Sequence, residues 1–174
     1  NLCKILVQAC HQVLALARNP EKARNLLPVN TIVSYGDITK QTTLQKPMQG
    51  VDGVFHLAAW YKIGSKDKKE AYLTNVEGTR NVLEVAKALN IAKVVYTSTI
   101  AVFSDTNGEK ANETYFHKGP WLSEYEKTKW IAHYKVALPL AQTGLPLVIV
   151  QPGVVYGPGD SSAIGKSFTD YLRG

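Results

Sequence analysis

Five short apolar runs, rich in β-branched residues, alternate along the chain with longer amphipathic segments, and this alternation limits the folds open to it. The runs cover residues 11–18, 30–37, 51–59, 92–99 and 145–153. Their side chains are too uniformly apolar to alternate between a solvent-exposed face and a buried face, which is typical of parallel strands covered on both sides. The pattern therefore predicts an α/β domain with a parallel sheet.

Two of the intervening segments have the periodicity of a helix. Residues 69–90 place five apolar side chains on one stripe, namely Val76, Val82, Leu83, Ala86 and Leu89. Asn90 stands where a C-terminal cap is expected. A second helix is predicted from Leu122 to about Thr143, with Gly144 closing it and Pro139 kinking or weakening its last turns.

The composition is that of one globular domain with a basic surface. The chain has 174 residues and a formal net charge of +6, and a positive field favours phosphate-bearing ligands. The lysines are spread along the chain, and only Lys66–Lys69 form a cluster, which Asp67 interrupts. We expect that cluster to be a solvated loop rather than a nucleic-acid site.

Neither the cysteines nor the apolar segments indicate export or a membrane. Cys3 and Cys10 have no metal-ligand spacing and form no disulfide framework, which is typical of a reducing cytoplasm. No apolar run reaches membrane-spanning length, and the first ten residues are too short and too polar for a secretory signal. We therefore expect a cytoplasmic protein with no metal site and no membrane contact.

The residues that follow the five runs are candidates for a binding site, because ligands of such domains lie beyond the carboxyl ends of the strands. These residues are Arg18 and Asn19; Gly36, Asp37 and Ile38; Leu57, Ala58 and Ala59; Thr97, Ser98 and Thr99; and Gln151, Pro152, Gly153 and Val154. Small residues, hydroxyls and glycines are the types that allow a ligand to approach the backbone.

Tyr125 and Lys129 lie in the stretch "SEYEKTKW" and share one face of the predicted helix, one turn apart. A lysine in that position would stabilise the tyrosinate and lower the pKa of the phenol from ~10. The motif alone is weak, because such pairs also arise by chance in a chain this rich in lysine. From spacing alone, the pair is either catalytic or two polar residues on a solvated face.

Six motifs in order resemble those of one enzyme family. They are "GDIT", "VFHLAA", "NVEGTRNVLEVA", "VVYTST", "SEYEKTK" and "VIVQPGVVYGPGD". The chain resembles the extended short-chain dehydrogenase/reductases, within the NAD-dependent epimerase/dehydratase family, and is more similar to their dihydroflavonol-reductase-like branch. The resemblance covers essentially the whole chain and implies a Rossmann-type doubly wound parallel sheet.

The resemblance also implies a catalytic triad of a hydroxyl, a tyrosine and a lysine. The matching residues are Thr99, Tyr125 and Lys129, with Thr97 and Ser98 as alternatives for the hydroxyl. In this family the tyrosine exchanges a proton with the substrate oxygen while the nicotinamide exchanges hydride. The alternative is that these hydroxyls only finish a strand. Asn75, which resembles the family's helix asparagine, has either a structural or a catalytic role.

The resemblance assigns the cofactor NADP, with NAD as the alternative. Arg18 stands where the family clamps the 2′-phosphate, and Lys22 or Arg24 would assist it. The remaining cofactor residues implied by the motifs are Asp37 and Ile38 beside the adenine, Leu57, Ala58 and Ala59 along the dinucleotide, Thr97, Ser98, Tyr125 and Lys129 at the catalytic end, and Pro152, Gly153 and Val154 against the nicotinamide.

The chain departs from the family at both ends. No glycine-rich G-x-x-G-x-x-G loop occurs near the start, and residues 1–10 resemble the end of the helix that follows that loop. The first strand would lie at the centre of the sheet, so its absence leaves the strands at 11–18 and 51–59 facing each other across a gap. We therefore expect residues 1–174 to be a partial NAD(P)-binding Rossmann-like domain, with most of the C-terminal substrate domain absent.

Three functions remain open at this point. The first is an NADP(H)-dependent oxidoreductase acting on a ketone or secondary alcohol, and the second is a nucleotide-sugar epimerase or dehydratase with tightly bound NAD. The third is a non-catalytic dinucleotide-binding or decayed relative. Trp60, Tyr61 and Trp121 favour a flat or apolar small-molecule substrate unless they only pack in the core. A homodimer is possible by analogy with the family.

Overall fold

The computed structural model describes residues 1–62, 67–157, 159–160 and 162–174. All five predicted strands are present, and they are β1 (Val13–Ala17), β2 (Thr31–Tyr35), β3 (Gly53–His56), β4 (Lys93–Thr97) and β5 (Leu147–Val150). Each is shorter than its apolar run. The residues before β1, β4 and β5 close the preceding helices, and the residues after β3 and β5 leave the sheet at its carboxyl edge.

The strands form two parallel sheets. Strand β1 pairs with β2, and β4 lies between β3 and β5. Within the described ranges no ladder joins β1 to β3, so the interruption falls where the sequence predicted a gap. In each sheet the carboxyl ends of the strands lie on one edge, as parallel pairing requires.

The helices are α1 (Leu2–Gln8), α2 (Pro20–Arg24), α3 (Thr42–Met48), α4 (Lys68–Tyr72), α5 (Gly78–Ala88), α6 (Glu124–Ile131), α7 (Leu138–Gln142) and α8 (Ala163–Arg173). The predicted helix at 69–90 is α4 and α5 joined by a π-helical turn, Leu73–Glu77. The predicted helix at 122–143 is α6 and α7 joined by a second π-helical turn, Ala132–Ala137. Pro139 has no N–H to continue the regular bonding, and the widened turn lies just before it.

Three helices end in the same hydrogen-bonded motif. After α5, the Asn90 N–H donates to Lys87 O (3.1 Å) and the Ile91 N–H donates to Ala86 O (3.0 Å), with Asn90 at a positive φ of 54°. This is a Schellman motif, and Asn90 therefore has the capping role predicted for it. Gly144 after α7 and Cys10 after α1 occupy the equivalent positions. The motif turns the chain directly into the next strand.

The core lies on one face of the β3–β4–β5 sheet. Val94 and Tyr96 of β4 pack with Val76 and Leu83 from the helical segments above them. On the opposite face Phe55 and the alternate residues of β5 are exposed, with Val148 at 58%. The predicted covering of both faces is therefore present on only one side within the described residues.

The basic stretch at Lys66–Lys69 is partly helical rather than a loop. Asp67 accepts a hydrogen bond from the Glu70 N–H (2.9 Å) and caps α4, which begins at Lys68. Lys66 itself lies outside the described residues. None of the helices in the described segments is long and apolar enough to cross a membrane.

Candidate active site

The carboxyl ends of β4 and β5 are tied together by backbone hydrogen bonds. The Ser98 N–H donates to Val150 O (2.8 Å), and the Ile100 N–H donates to Pro152 O (3.1 Å). These bonds continue the parallel register beyond the last ladder pair. They place the three hydroxyl residues Thr97, Ser98 and Thr99 beside Pro152, as the strand-end argument predicted.

Thr99 is buried at the point where β4 gives way to a 3₁₀ turn, Ile100–Phe103. Its hydroxyl accepts a hydrogen bond from the Ala101 N–H (3.1 Å), which fixes the side chain at the start of that turn. The same side chain lies close enough to the Tyr125 hydroxyl to affect its pKa. Two residues that the family resemblance named are therefore neighbours at this strand end.

Helix α6 carries Tyr125 near its first turn, and its start is held by side chains. Ser123 accepts a hydrogen bond from the Glu126 N–H (3.2 Å). The Glu126 carboxylate in turn accepts from the Leu122 N–H (3.0 Å) and from the Ser104 hydroxyl (2.9 Å). This is a variant of the capping box, and it joins the helix start to the turn that follows Thr99.

The environment of Tyr125 differs from the one expected from spacing. Burial raises the pKa of the phenol, the nearby Thr99 side chain opposes that rise, and the neighbouring Tyr61 adds to it. The two tyrosine rings meet edge to face with centroids 4.9 Å apart. The lowering of the pKa by Lys129 does not occur in this structure, because the ammonium is directed to other partners.

Lys129 lies in the interior, not on a solvated face, with 2% of its surface exposed. Its ammonium Nζ donates hydrogen bonds to Thr97 O (2.9 Å) and to the Tyr96 hydroxyl (3.1 Å). Burial lowers the pKa of Lys129 to about 8. A buried lysine with a lowered pKa is typical of functional sites.

The loop after β2 is ordered around Asp37. Its carboxylate accepts hydrogen bonds from the Thr39 N–H (3.0 Å) and the Thr39 hydroxyl (2.8 Å). Burial tends to raise the pKa of Asp37, but the Thr39 hydrogen bonds and the charges of Arg18 and Lys40 outweigh it, so the pKa is lowered. Arg18, which follows β1, is therefore electrostatically close to Asp37.

Ile38 packs against the start of α5. A Cβ atom built on Gly78 would lie 2.6 Å from Ile38 Cδ1, so only glycine allows this approach. The Ile38 carbonyl accepts a hydrogen bond from Asn81 Nδ2 (2.8 Å). These contacts fix the loop that carries Asp37 onto the helix.

The apolar strand ends are open, as a binding surface requires. Leu57, Ala58 and Ala59 are exposed after β3, with Leu57 at 53%, and Gly153 and Val154 are exposed after β5. A dinucleotide needs apolar surface for its rings and polar partners for its ribose and phosphate groups. These open strand ends, together with Arg18 and Asp37, fit that requirement.

Of the three aromatic residues singled out from the sequence, only Tyr61 contacts a catalytic candidate. Trp60 is buried, and its indole N–H donates to Glu70 (3.0 Å). Trp121 is half-buried against the Trp130 ring. Asn75 uses its amide on the Trp60 backbone and the Thr128 hydroxyl, which is a structural role.

Four buried side chains around the lysine and the strand end were missed by the sequence reasoning. They are His56, Thr79, Tyr96 and His133. His56 Nε2 lies 3.0 Å from the Thr79 hydroxyl oxygen, and His133 Nδ1 lies 2.8 Å from that of Ser98. The sequence does carry a signal for His133, which is its spacing, because it follows Lys129 by one helical turn.

A parallel α/β sheet with a hydroxyl, a tyrosine and a buried lysine at its carboxyl edge defines a domain of the Rossmann type. The sequence pattern of the family described as "NAD dependent epimerase/dehydratase family" matches residues 1–173. The chain belongs to the NAD-dependent epimerase/dehydratase family.

Three known proteins illustrate this relationship. The chain is 37% identical to the "Putative dihydroflavonol 4-reductase" of Synechocystis sp. over 99% of its own length and 51% of that protein. It superimposes on the crystal structure of gox2253 with a TM-score of 0.82 and 28% identity, covering 97% of this chain and 52% of the other. For the UDP-glucuronic acid 4-epimerase of Bacillus cereus in complex with NAD, the TM-score is 0.75 and the identity 26%, covering 99% and 59%.

The chain spans about half the length of the curated relatives that it matches. Reductases and an epimerase both occur among its relatives and structural neighbours. Family membership thus fixes the fold and the general class, and the particular reaction has to be argued from the site.

Proposed function

We propose that the protein carrying this chain is an NADP(H)-dependent oxidoreductase that interconverts a ketone and a secondary alcohol. The observation that carries the proposal is the placement of the Thr99 side chain near the Tyr125 phenol, with the buried ammonium of Lys129 held at Thr97 O on the same strand end. A hydroxyl, a phenol and a cation so placed supply the groups that proton transfer to a carbonyl oxygen needs.

In the reducing direction the Tyr125 hydroxyl donates its proton to the carbonyl oxygen. Thr99, next to the phenol, would donate to the same oxygen and orient it. A bound nicotinamide supplies the hydride that the carbonyl carbon receives. Tyr125 is left as a tyrosinate, which the ammonium donor of Lys129 not used by Thr97 and Tyr96 would stabilise, and oxidation of the alcohol runs through the same groups in reverse.

The cofactor assignments rest on the strand ends. Arg18 would bind the 2′-phosphate of NADP, because a guanidinium matches phosphate geometry and carries a permanent charge. Asp37 would bind beside the adenosine, and the open surface of Leu57–Ala59 would take the middle of the dinucleotide. Residues Pro152–Val154 would lie against the nicotinamide, since Pro152 is tied to the turn that follows Thr99.

A nucleotide-sugar epimerase with tightly bound NAD is the second candidate, and the similarity to the Bacillus cereus enzyme favours it. Tyr61 favours the oxidoreductase, because its exposed ring lies against Tyr125 and offers a flat apolar surface to a substrate. The two functions differ in cofactor turnover, since an epimerase regenerates its NAD and an oxidoreductase releases it changed.

The test is to incubate the purified protein with NADPH and a panel of aryl and alkyl ketones, and to follow NADPH consumption. We expect consumption with at least one ketone, and Tyr125→Phe should reduce it roughly a hundredfold or more while cofactor binding persists. Tyr61→Phe is the matched control, because it keeps the ring and removes only a hydroxyl. Unchanged turnover in Tyr125→Phe would remove the catalytic assignment.

A further inference from the structure

The ammonium of Lys129 is buried without a carboxylate partner in the described part of the chain, where the ion pairs are Lys62–Glu70 and Arg80–Glu77. Neutral oxygens of Thr97 and Tyr96 accept its hydrogen bonds instead. A buried charge is costly unless its donors are satisfied. The position of this ammonium therefore depends on what holds those two oxygens in place.

The backbone of β4 holds the Thr97 carbonyl, and a side-chain network holds the Tyr96 hydroxyl. Tyr96 has no exposed surface, its hydroxyl accepts a hydrogen bond from the Lys129 ammonium (3.1 Å), and the side chains of Thr79 and Ser98 lie close enough to affect its pKa. A phenol has one proton to donate and two lone pairs. The Lys129 ammonium occupies one lone pair of the Tyr96 hydroxyl. The proton and the other lone pair of that hydroxyl are left for the two neighbouring hydroxyls.

Each of these two hydroxyls is paired with a buried histidine. Thr79 lies against His56, and Ser98 lies against His133. Burial and the charge of Lys129 together lower the pKa of His56 to about 3 and that of His133 to about 4, so both rings are neutral. A neutral imidazole offers one donor and one acceptor, and an imidazolium offers only donors. Because both rings are neutral, Lys129 carries the charge among these buried groups.

We propose that Tyr96 is a positioning residue of the active site, whose buried hydroxyl, next to Thr79 and Ser98, accepts a hydrogen bond from the ammonium of Lys129 and fixes it at the carboxyl end of β4. The proposal rests on the function given above, which makes Lys129 the partner of Tyr125. The contacts to Thr97 and Tyr96 use two of the three ammonium donors. They leave the third for the tyrosinate.

The groups that face this ammonium come from several elements. They are His56 from β3, Tyr96 and Thr97 from β4 and His133 from the π-helical turn, and Tyr125 of α6 acts on Tyr96 with Tyr61 behind it. None of them is a carboxylate. The pKa of Lys129 therefore responds directly to the loss of a neutral acceptor.

The experiment compares Tyr96→Phe with Tyr134→Phe in the purified protein. Tyr134 is the matched control, because its hydroxyl also donates within the fold, to Tyr115 O, and does not contact Lys129. The pKa of Lys129 is read by NMR of its side-chain nitrogen, with Lys129→Met for assignment. We expect Tyr96→Phe to lower it by about one unit, because the ammonium loses an acceptor, and Tyr134→Phe to leave it unchanged.

A second pair of variants tests the network behind the phenol. Thr79→Val keeps the shape and removes the hydroxyl, and we expect a smaller shift in the same direction, whereas Thr79→Ser should keep the wild-type value. If Tyr96→Phe folds and leaves the pKa of Lys129 unchanged, the proposal is wrong. If the protein consumes NADPH with none of the ketones tested, the proposed function is wrong instead. The NMR titration would still decide the role of Tyr96.

Discussion

The ammonium of Lys129 donates a 2.9 Å hydrogen bond to the carbonyl of Thr97, the last residue of β4. The helix that carries the candidate acid is thereby joined to the strand end that carries the candidate hydroxyl. The bond crosses from one element to another and uses a backbone acceptor, so its geometry does not depend on the side chain of Thr97. It explains why a lysine is placed in the interior at this point.

The proposed function gives the protein a preference for NADPH over NADH through Arg18, and replacing Arg18 with Glu is expected to reverse it. The guanidinium would attract the 2′-phosphate, and a carboxylate would repel it and accept the ribose hydroxyls instead. We expect NADPH affinity to fall roughly ten- to a hundredfold and NADH affinity to rise, both measured by fluorescence titration. Arg80→Gln is the control, because Arg80 pairs with Glu77 on the helix surface. Equal losses for both cofactors would show that Arg18 does not read the phosphate.

Gly78→Ala is expected to destabilise the fold by about 1–3 kcal/mol, because the added methyl would overlap Ile38. The Cβ would lie 2.6 Å from Ile38 Cδ1, whereas a Cβ on Gly153 would meet its nearest neighbour at 3.4 Å. Urea unfolding of Gly78→Ala and the control Gly153→Ala should therefore differ. Adding Ile38→Ala to Gly78→Ala should cost less than the sum of the two single changes. If the costs of the two single changes simply add, the strain in Gly78→Ala does not come from the contact with Ile38.

The free energy of unfolding should carry a pH dependence from Lys129. Burial lowers its pKa from 10.5 to about 8, so between these values the unfolded chain binds more protons and stability rises with pH. Lys129→Met removes the buried charge. It should stabilise the protein at about pH 7, by up to about 3 kcal/mol, and this gain should shrink towards about pH 10.

The measurement for this change is urea unfolding at the two pH values. Lys127→Met is the control, because Lys127 is an exposed residue on the same helix. A stability difference between wild type and Lys129→Met that does not vary with pH would mean that the ammonium is not buried in solution.

The sequence was sufficient to predict the strands, the two long helices and the break between the sheets. Apolar runs and cap residues such as Asn90 are local signals, so they can be read without the fold. The family motifs also named Thr99, Tyr125 and Lys129, which the structure brings to one edge. Their catalytic roles remain predictions.

The network around Lys129 was not predictable in the same way. Thr79, Tyr96 and His133 come from three elements, and their partnership depends on tertiary packing that no local pattern encodes. The π-helical turns were also missed, because they preserve the apolar stripe that indicates a regular helix. Tyr125 shows the same limit, since its pKa follows from burial and not from the spacing to Lys129.

Insertions and deletions within β4 should be tolerated far less than substitutions. The Schellman motif after α5 fixes where the strand begins, and Tyr96, Thr97 and Thr99 lie at set distances from that point. Adding or removing one residue would exchange the two faces of the strand. Tyr96 would then turn away from Lys129 even though every residue of the site was still present, so the length of this strand is itself a requirement of the site.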